Sequence, residues 1–191
     1  MAKSKKYEVK EGKISDLQFD DKNLNKHTQA SMGVPQKRER VFFICQRKDL
    51  KMPDLKLSFN EKPIFFKEIS IKATKSKDEY KQFTDLYLKY FNETKQGDAV
   101  GKYNSTAKRA KDNDVVDTIT ASSNYGFCHS TIQRRASKNE ISLCGSYPLD
   151  YDFINIKNWH YLIGMSVPPV MTAQISHQIF IQWLSKLIKD T

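Results

Sequence analysis

GVPQKRERVFFI, residues 33–44, sets three side chains with forked hydrogen-bonding ends two positions apart and then runs straight into an apolar stretch. Pro35 lacks a backbone donor and biases Val34 to an extended conformation, so the chain enters QKRER as a strand or strand lead-in. Residues two apart on extended backbone share a face. Gln36, Arg38 and Arg40 are therefore expected on one side, with Lys37 and Glu39 on the other. The run VFFIC that follows, residues 41–45, is continuous and β-rich, which predicts a strand buried on both faces, as in the parallel sheet of an α/β protein. Guanidinium planes suit phosphate oxygens and base acceptors, so the strip is a candidate nucleic-acid contact. The same six residues taken alone read better as an exposed strand end with ordinary solvated charges.

Composition points the same way. The chain has 191 residues, enough for one real core or for one domain with an appended smaller one, and carries 32 Lys and Arg against 22 Asp and Glu. Its formal charge of +10 and pI near 9.4 favour a polyanionic partner over an acidic small molecule. The positive start MAKSKKYEVKEGK has no apolar run behind it and does not read as a signal peptide. No segment approaches the roughly 20 consecutive apolar residues of a membrane span. Cys45, Cys128 and Cys144 are far apart, without a CxxC or a His cluster, so neither a disulfide framework nor a metal site is expected. For Cys45 the expectation is packing in the strand. A reducing, cytoplasmic setting is the default.

Along the chain, residues 1–24 form a polar, basic leader, expected to be loosely ordered. LKLSF (residues 55–59) and PIFFKEISI (residues 63–71) are strand candidates, and YKQFTDLYLKYFNET fits a helix approximately. KQGDAVGKYNSTAKRAKDND, residues 95–114, has little apolar content, and so long an irregular stretch within a domain reads as functional or disordered. VVDTITASSNYGF has strand composition followed by turn residues. The clearest element comes last. Pro168 and Pro169 stand where a helix can begin, and Val170, Met171, Ile175, Ile179, Phe180, Trp183, Leu184, Leu187 and Ile188 follow at helical spacing. This predicts an amphipathic helix of about 20 residues whose wide apolar face packs against something large.

Three ordered stretches together resemble the C-terminal half of the DNA (cytosine-5) methyltransferase family, over roughly residues 25–185. GVPQKRERVFFI looks like that family's Pro-Gln-x-Arg-x-Arg motif with its following strand. DTITASSNYG resembles the Thr-Ile-Thr segment that closes the target-recognition region. After it, Arg134 or Arg135, Ser137, Glu140 and the Tyr147-Pro148 pair match the family's Arg, Thr, Glu and aromatic-Pro order. YLIGMSVPPVMTAQISHQI is similar to the last motif, Gly-Asn-Ser-Val-Pro-Pro before a terminal helix, with Met165 in place of the Asn.

The resemblance implies an α/β fold. One or two strands from residues 25–50 would complete a partner's mostly parallel, Rossmann-like sheet. Residues 51–150 would form an irregular, β-rich target-recognition domain, and residues 151–191 would return as a segment and helix to the catalytic domain. The family's Pro-Cys nucleophile, Glu-Asn-Val segment and N-terminal Gly-containing turn for S-adenosylmethionine do not occur in this sequence. The chain starts with its own Met and a polar leader where the catalytic half of the family would have ended. It therefore resembles the second subunit of a split enzyme, or a C-terminal piece of a divided one, inactive alone, which needs double-stranded DNA and a catalytic chain carrying the missing motifs. The expected setting is the bacterial or phage cytoplasm at the nucleoid, in a restriction-modification system.

By the same resemblance, Arg40 would reach the carbonyl oxygen of a flipped cytosine, with Arg38 and Gln36 holding backbone or neighbouring pocket groups. Thr120 would contact a phosphate beside it. Ser166 and Val167 would close the cofactor side, with S-adenosylmethionine bound mainly by the partner and no metal involved. The polar, glycine-punctuated loops at residues 97–111 and 121–130 suit base-edge contacts in the major groove, with Lys102, Tyr103, Asn104, Lys108, Arg109, Asn124 and Tyr125 as candidates. Glu140 is expected to organise the segment between Arg135 and Pro148 through a buried ion pair or a cap. The competing expectation is a sequence-specific DNA-binding protein derived from such an enzyme that transfers no methyl group. A basic RNA-binding module ranks third, since the aromatic and glycine signatures of the common RNA folds are missing.

Overall fold

The computed structural model describes residues 32–40, 42, 44–46, 51–72, 83–101, 107–121, 126–151 and 158–186. These residues form five α-helices linked by long extended segments. The helices are α1 (Phe66–Ile69), α2 (Asp85–Glu93), α3 (Lys138–Cys144), α4 (Trp159–Met165) and α5 (Pro169–Ile179), and α5 continues into a π-helical turn, Phe180–Leu184.

The expected α/β fold is not what forms. Among the described residues there is no β-strand, only isolated bridges pairing Gln36 with Val116, Ala99 with Lys108, Arg109 with Cys128, and Cys128 with Arg135. Nor does the predicted sheet-completing strand appear at residues 41–45. Phe42 and Ile44 are half-buried side chains packed against α5, and Cys45 is exposed rather than packed. Val41 and Phe43 lie outside the described residues. The reason is the absence of a ladder. Among the described residues the segment pairs with another where Lys37 N–H donates to Val116 O (2.7 Å) and Val116 N–H donates to Pro35 O (3.0 Å). β-Propensity makes a strand only when a neighbouring strand accepts its backbone groups. The other strand candidates change in the same way: residues 55–59 form no strand, with the Lys56 backbone bonded to the Gln182 side chain, and PIFFKEISI contains α1.

Three apolar clusters organise these segments. In the first, Phe66 of α1, Val116, Ile119, Phe127, Ile141 and Cys144 of α3, and Ile163 of α4 are all buried. The second joins Met32, Val34 and Phe59 to Met171 and Ile175, so α5 lies on the extended chain instead of on a sheet. Gln174 Nε2 donates to Met32 O (2.9 Å) and Trp183 Nε1 to Pro53 O (2.8 Å), which ties the helix and its π turn to that chain. Pro169 starts α5 where its missing N–H leaves nothing unsatisfied. Leu187 and Ile188 of the expected helix, like the leader at residues 1–24, lie outside the described residues. The third cluster packs Phe91 of α2 against Val100, Ala107 and Cys128.

A polar node under α3 completes the interior. Ser137 and Glu140 form a reciprocal capping box at the start of α3. The Glu140 carboxylate, fully buried, also takes two bonds from Arg134 (2.7 and 2.9 Å) and one from Ile71 N–H (2.9 Å). Glu140 thus serves both as ion-pair partner and as part of the cap. Burial alone would raise its pKa, but the Arg134 guanidinium and the Ile71 and Ser137 amides hold it below the usual range.

His129 faces the same carboxylate, with Nε2 at 3.5 Å from Oε1, while its Nδ1 accepts from the N–H groups of Thr131 and Ile132 (both 3.1 Å). Nδ1 is therefore unprotonated and the ring neutral. Burial pushes the His129 pKa down to about 4, against the opposing pull of Glu140. The unfolded chain takes up this proton as pH falls below about 6.5, whereas the folded chain resists it until about 4. Stability from this group is complete above about 6.5 and is lost as pH falls towards 4. Urea midpoints at pH 7 and pH 5 are expected to differ by about 2 kcal/mol from this source. His129→Gln, which keeps an acceptor but cannot titrate, should flatten that part of the profile.

Candidate functional site

The opening strip is split between interior and surface. Gln36 and Arg38 are each 1% exposed, whereas Arg40 is exposed. Gln36 Nε2 donates to Cys144 O at the end of α3 (2.8 Å), and its Oε1 accepts from Ile119 N–H (3.2 Å). Arg38 donates from one terminal nitrogen to Ile119 O (2.7 Å) and from the other to Gly164 O in α4 (2.5 Å). A planar guanidinium is the one side chain that can bridge two carbonyls in this forked geometry. Three distant stretches meet on Arg38: the strip itself, the Thr-Ile-Thr segment and the Gly-x-Ser-Val-Pro-Pro segment.

Gly164 makes the junction possible. A methyl group at its Cα would stand 2.5 Å from Thr120 C and 2.6 Å from Ala121 Cα, both backbone atoms that cannot swing away. The residue-120 segment therefore crosses directly over α4. Arg40 sits just beyond this junction, donating to Glu39 O (2.7 Å) with its guanidinium at the surface.

Ser166 and Val167 follow Gly164. The Ser166 N–H donates to Leu162 O (3.0 Å) and its hydroxyl to Ile163 O (2.9 Å), while Val167 packs against the second cluster. Ser166 caps the C-terminal end of α4, and Val167 follows it. Met165 is 59% exposed.

A groove of about 450 Å³ lies on the far side of the residue-116 to residue-120 segment. Lys37, Lys108, Lys111, Asp114, Asp117, Thr118 and Thr120 line it, together with Arg109 and Gly126. The Thr118 hydroxyl donates to Lys37 O, which ties the groove to the strip. Thr120 and Lys108 are exposed at its surface. Arg109 is turned inward: it donates to Ser130 O (2.7 Å), Phe91 O (3.1 Å) and Thr94 O (2.6 Å) and stacks 4.0 Å from the Phe91 ring centroid. It caps the C-terminal carbonyls of α2, where a cation is favoured. Lys102, Tyr103, Asn104, Asn124 and Tyr125 lie outside the described residues.

The structure thus brings Thr120, Lys108 and Arg109 to one groove, joins Gln36 and Arg38 in one buried junction, and leaves Arg40, Ser166 and Val167 around its rim. Sequence reasoning did not single out Lys37 and Lys111. The two-residue period was the available signal for Lys37, since it places that residue opposite Gln36 and Arg38.

The cysteines carry no activated thiol among the buried positions. Burial pushes the Cys128 thiol up to about 11, and Cys144, fully enclosed, is raised well above its ordinary value. Both resist forming the thiolate that nucleophilic attack requires. Among the described residues no group of three His, Cys, Asp or Glu side chains could hold a metal ion, and no helix is long and apolar enough to cross a membrane.

No curated protein matches the chain. A family profile, that of the C-5 cytosine-specific DNA methylases, matches residues 27–181. The junction at Arg38 lies within that span, and enzymes of this family generally draw the methyl group from S-adenosylmethionine. The chain belongs to the C-5 cytosine-specific DNA methylase family.

Proposed function

We propose that this chain is the DNA-recognition and active-site-completing part of a DNA (cytosine-5) methyltransferase, with the nucleophilic cysteine supplied by another chain. The observation that carries the reading is the junction at Arg38, which binds the strip, the Thr-Ile-Thr segment and the final motif into one unit. Arg40 emerges from that unit at the surface, where a guanidinium can meet an extruded base. Gln36 and Arg38 act as positioning residues, because the Gln36 amide and both terminal nitrogens of Arg38 are spent on backbone partners.

Thr120 and Lys108 face the duplex backbone, and Lys102, Tyr103, Asn104, Asn124 and Tyr125 are the candidates for reading bases. The cofactor is held by the catalytic chain, with Ser166 and Val167 contributing shape at its edge. Exposed apolar side chains on α4 and the π turn, among them Leu162, Met165, Phe180 and Leu184, suit burial against that chain. Cytoplasmic action on bacterial or phage DNA fits this reading.

The test is methyl transfer in a mixture of this chain, a partner carrying the Pro-Cys and Glu-Asn-Val motifs, duplex DNA and labelled S-adenosylmethionine. Arg40→Ala is expected to lower transfer by about a hundredfold, the scale of losing one positioned donor, with duplex binding retained. Unchanged transfer would remove Arg40 from the pocket. Loss of duplex binding in equal measure would make Arg40 a backbone contact instead.

A further inference from the structure

The groove beside Thr120 has an unusual electrostatic lining for a chain of formal charge +10. Each of its three lysines has a carboxylate within reach. Lys37 Nζ lies 3.1 Å from Asp114 and 3.8 Å from Asp117, Lys108 Nζ 2.8 Å from Asp117, and Lys111 Nζ 4.0 Å from Asp114. Two aspartates thus hold three ammonium groups over one groove. The lysine side chains are just over half exposed, as is usual for solvated pairs that exchange partners easily. Asp117, by hydrogen bond and charge, raises the pKa of Lys108 above its ordinary value.

Carboxylates in these positions do two things. They fix where the ammonium groups stand, and they repel any other anion that approaches. A phosphate entering the groove competes with the aspartates for the lysines.

We propose that Asp114 and Asp117 are intramolecular substitutes for DNA phosphates. In the free chain they hold Lys37, Lys108 and Lys111 in register along the groove, and they yield these lysines to the backbone of bound duplex. The inference rests on the DNA-recognition reading above and adds a function to it: the two aspartates weaken indiscriminate binding by a basic chain. Only a duplex held by further contacts elsewhere displaces them. Both aspartates then act on affinity for any sequence and not on base choice, because phosphate contacts carry no sequence information.

The experiment titrates the full chain against a fluorescently labelled random-sequence duplex over a range of salt concentrations. Asp117→Asn, which stays clear of the apolar core, is expected to tighten binding about three- to fivefold at low salt. It should also steepen the log–log salt dependence by up to about 0.9, the contribution of one additional phosphate neutralised. Asp114→Asn should act in the same direction, and Lys108→Gln should weaken binding and flatten the slope.

Weaker or unchanged binding by both Asp→Asn variants, with wild-type binding intact and folding confirmed by urea midpoints, overturns this inference alone. Lys37→Gln, Lys108→Gln and Lys111→Gln all without effect would overturn it too, by placing the duplex elsewhere. Failure of the wild-type chain to bind duplex at any salt concentration would sink the DNA-recognition reading along with it.

Discussion

Arg38→Ala is expected to destabilise the chain by about 3–5 kcal/mol, read as a shift of the urea unfolding midpoint. The guanidinium is 1% exposed and gives two charge-assisted bonds, to Ile119 O and Gly164 O. Each such bond contributes about 1.5–3 kcal/mol, and truncation strands both carbonyls in a cavity the size of the lost side chain. Water entering that cavity would satisfy part of the loss, which is why the expectation stops short of the full sum. Arg38→Lys should rescue little. An ammonium is a point donor on a flexible stem and cannot span carbonyls that the flat fork reaches from both ends. A neutral result for Arg38→Ala would mean that the three stretches hold together without it.

Glu140→Gln should be of similar size, about 3–5 kcal/mol, although it changes a single atom. The carboxylate accepts from Arg134, Ile71 and Ser137 while fully buried. An amide keeps one acceptor oxygen and turns the other site into a donor pointing at Arg134 or at a backbone N–H. The Arg134 guanidinium, 3% exposed, then lacks its counter-charge in the interior. The double variant Arg134→Met with Glu140→Gln should recover a part of the loss, since removing both charges is far less costly than stranding one. Additive losses in the double variant would show that the two side chains stabilise the fold independently.

How much of this could be read beforehand depended on whether the deciding interaction was local. The double proline followed by apolar residues at helical spacing indicated a helix, and α5 begins at Pro169. The pairing of Ser137 with Glu140 three residues on is likewise short-range, and it forms the cap on α3. VFFIC misled because strand composition says nothing about whether another segment lies alongside. Here the chain runs against α5 and makes one bridge, at Gln36.

The site was legible in its residue types more than in their orientation. The alternation in QKRER correctly separates Gln36 and Arg38 from Lys37 and Glu39, but periodicity cannot say which side is solvent. The buried side is the one with the larger polar groups, because carbonyls of Ile119, Cys144 and Gly164 wait there, between 81 and 126 residues away in sequence. The inward turn of Arg109, singled out as a base-edge candidate, was invisible for the same reason, since its acceptors belong to the end of α2 and to Ser130.

The most direct test of the central claim is methyl transfer from labelled S-adenosylmethionine to duplex cytosine, measured for this chain alone, for a Pro-Cys chain alone, and for the two together. The account predicts label in DNA only from the mixture. Transfer by this chain alone, or transfer by the Pro-Cys chain that this chain neither enables nor redirects, would contradict it.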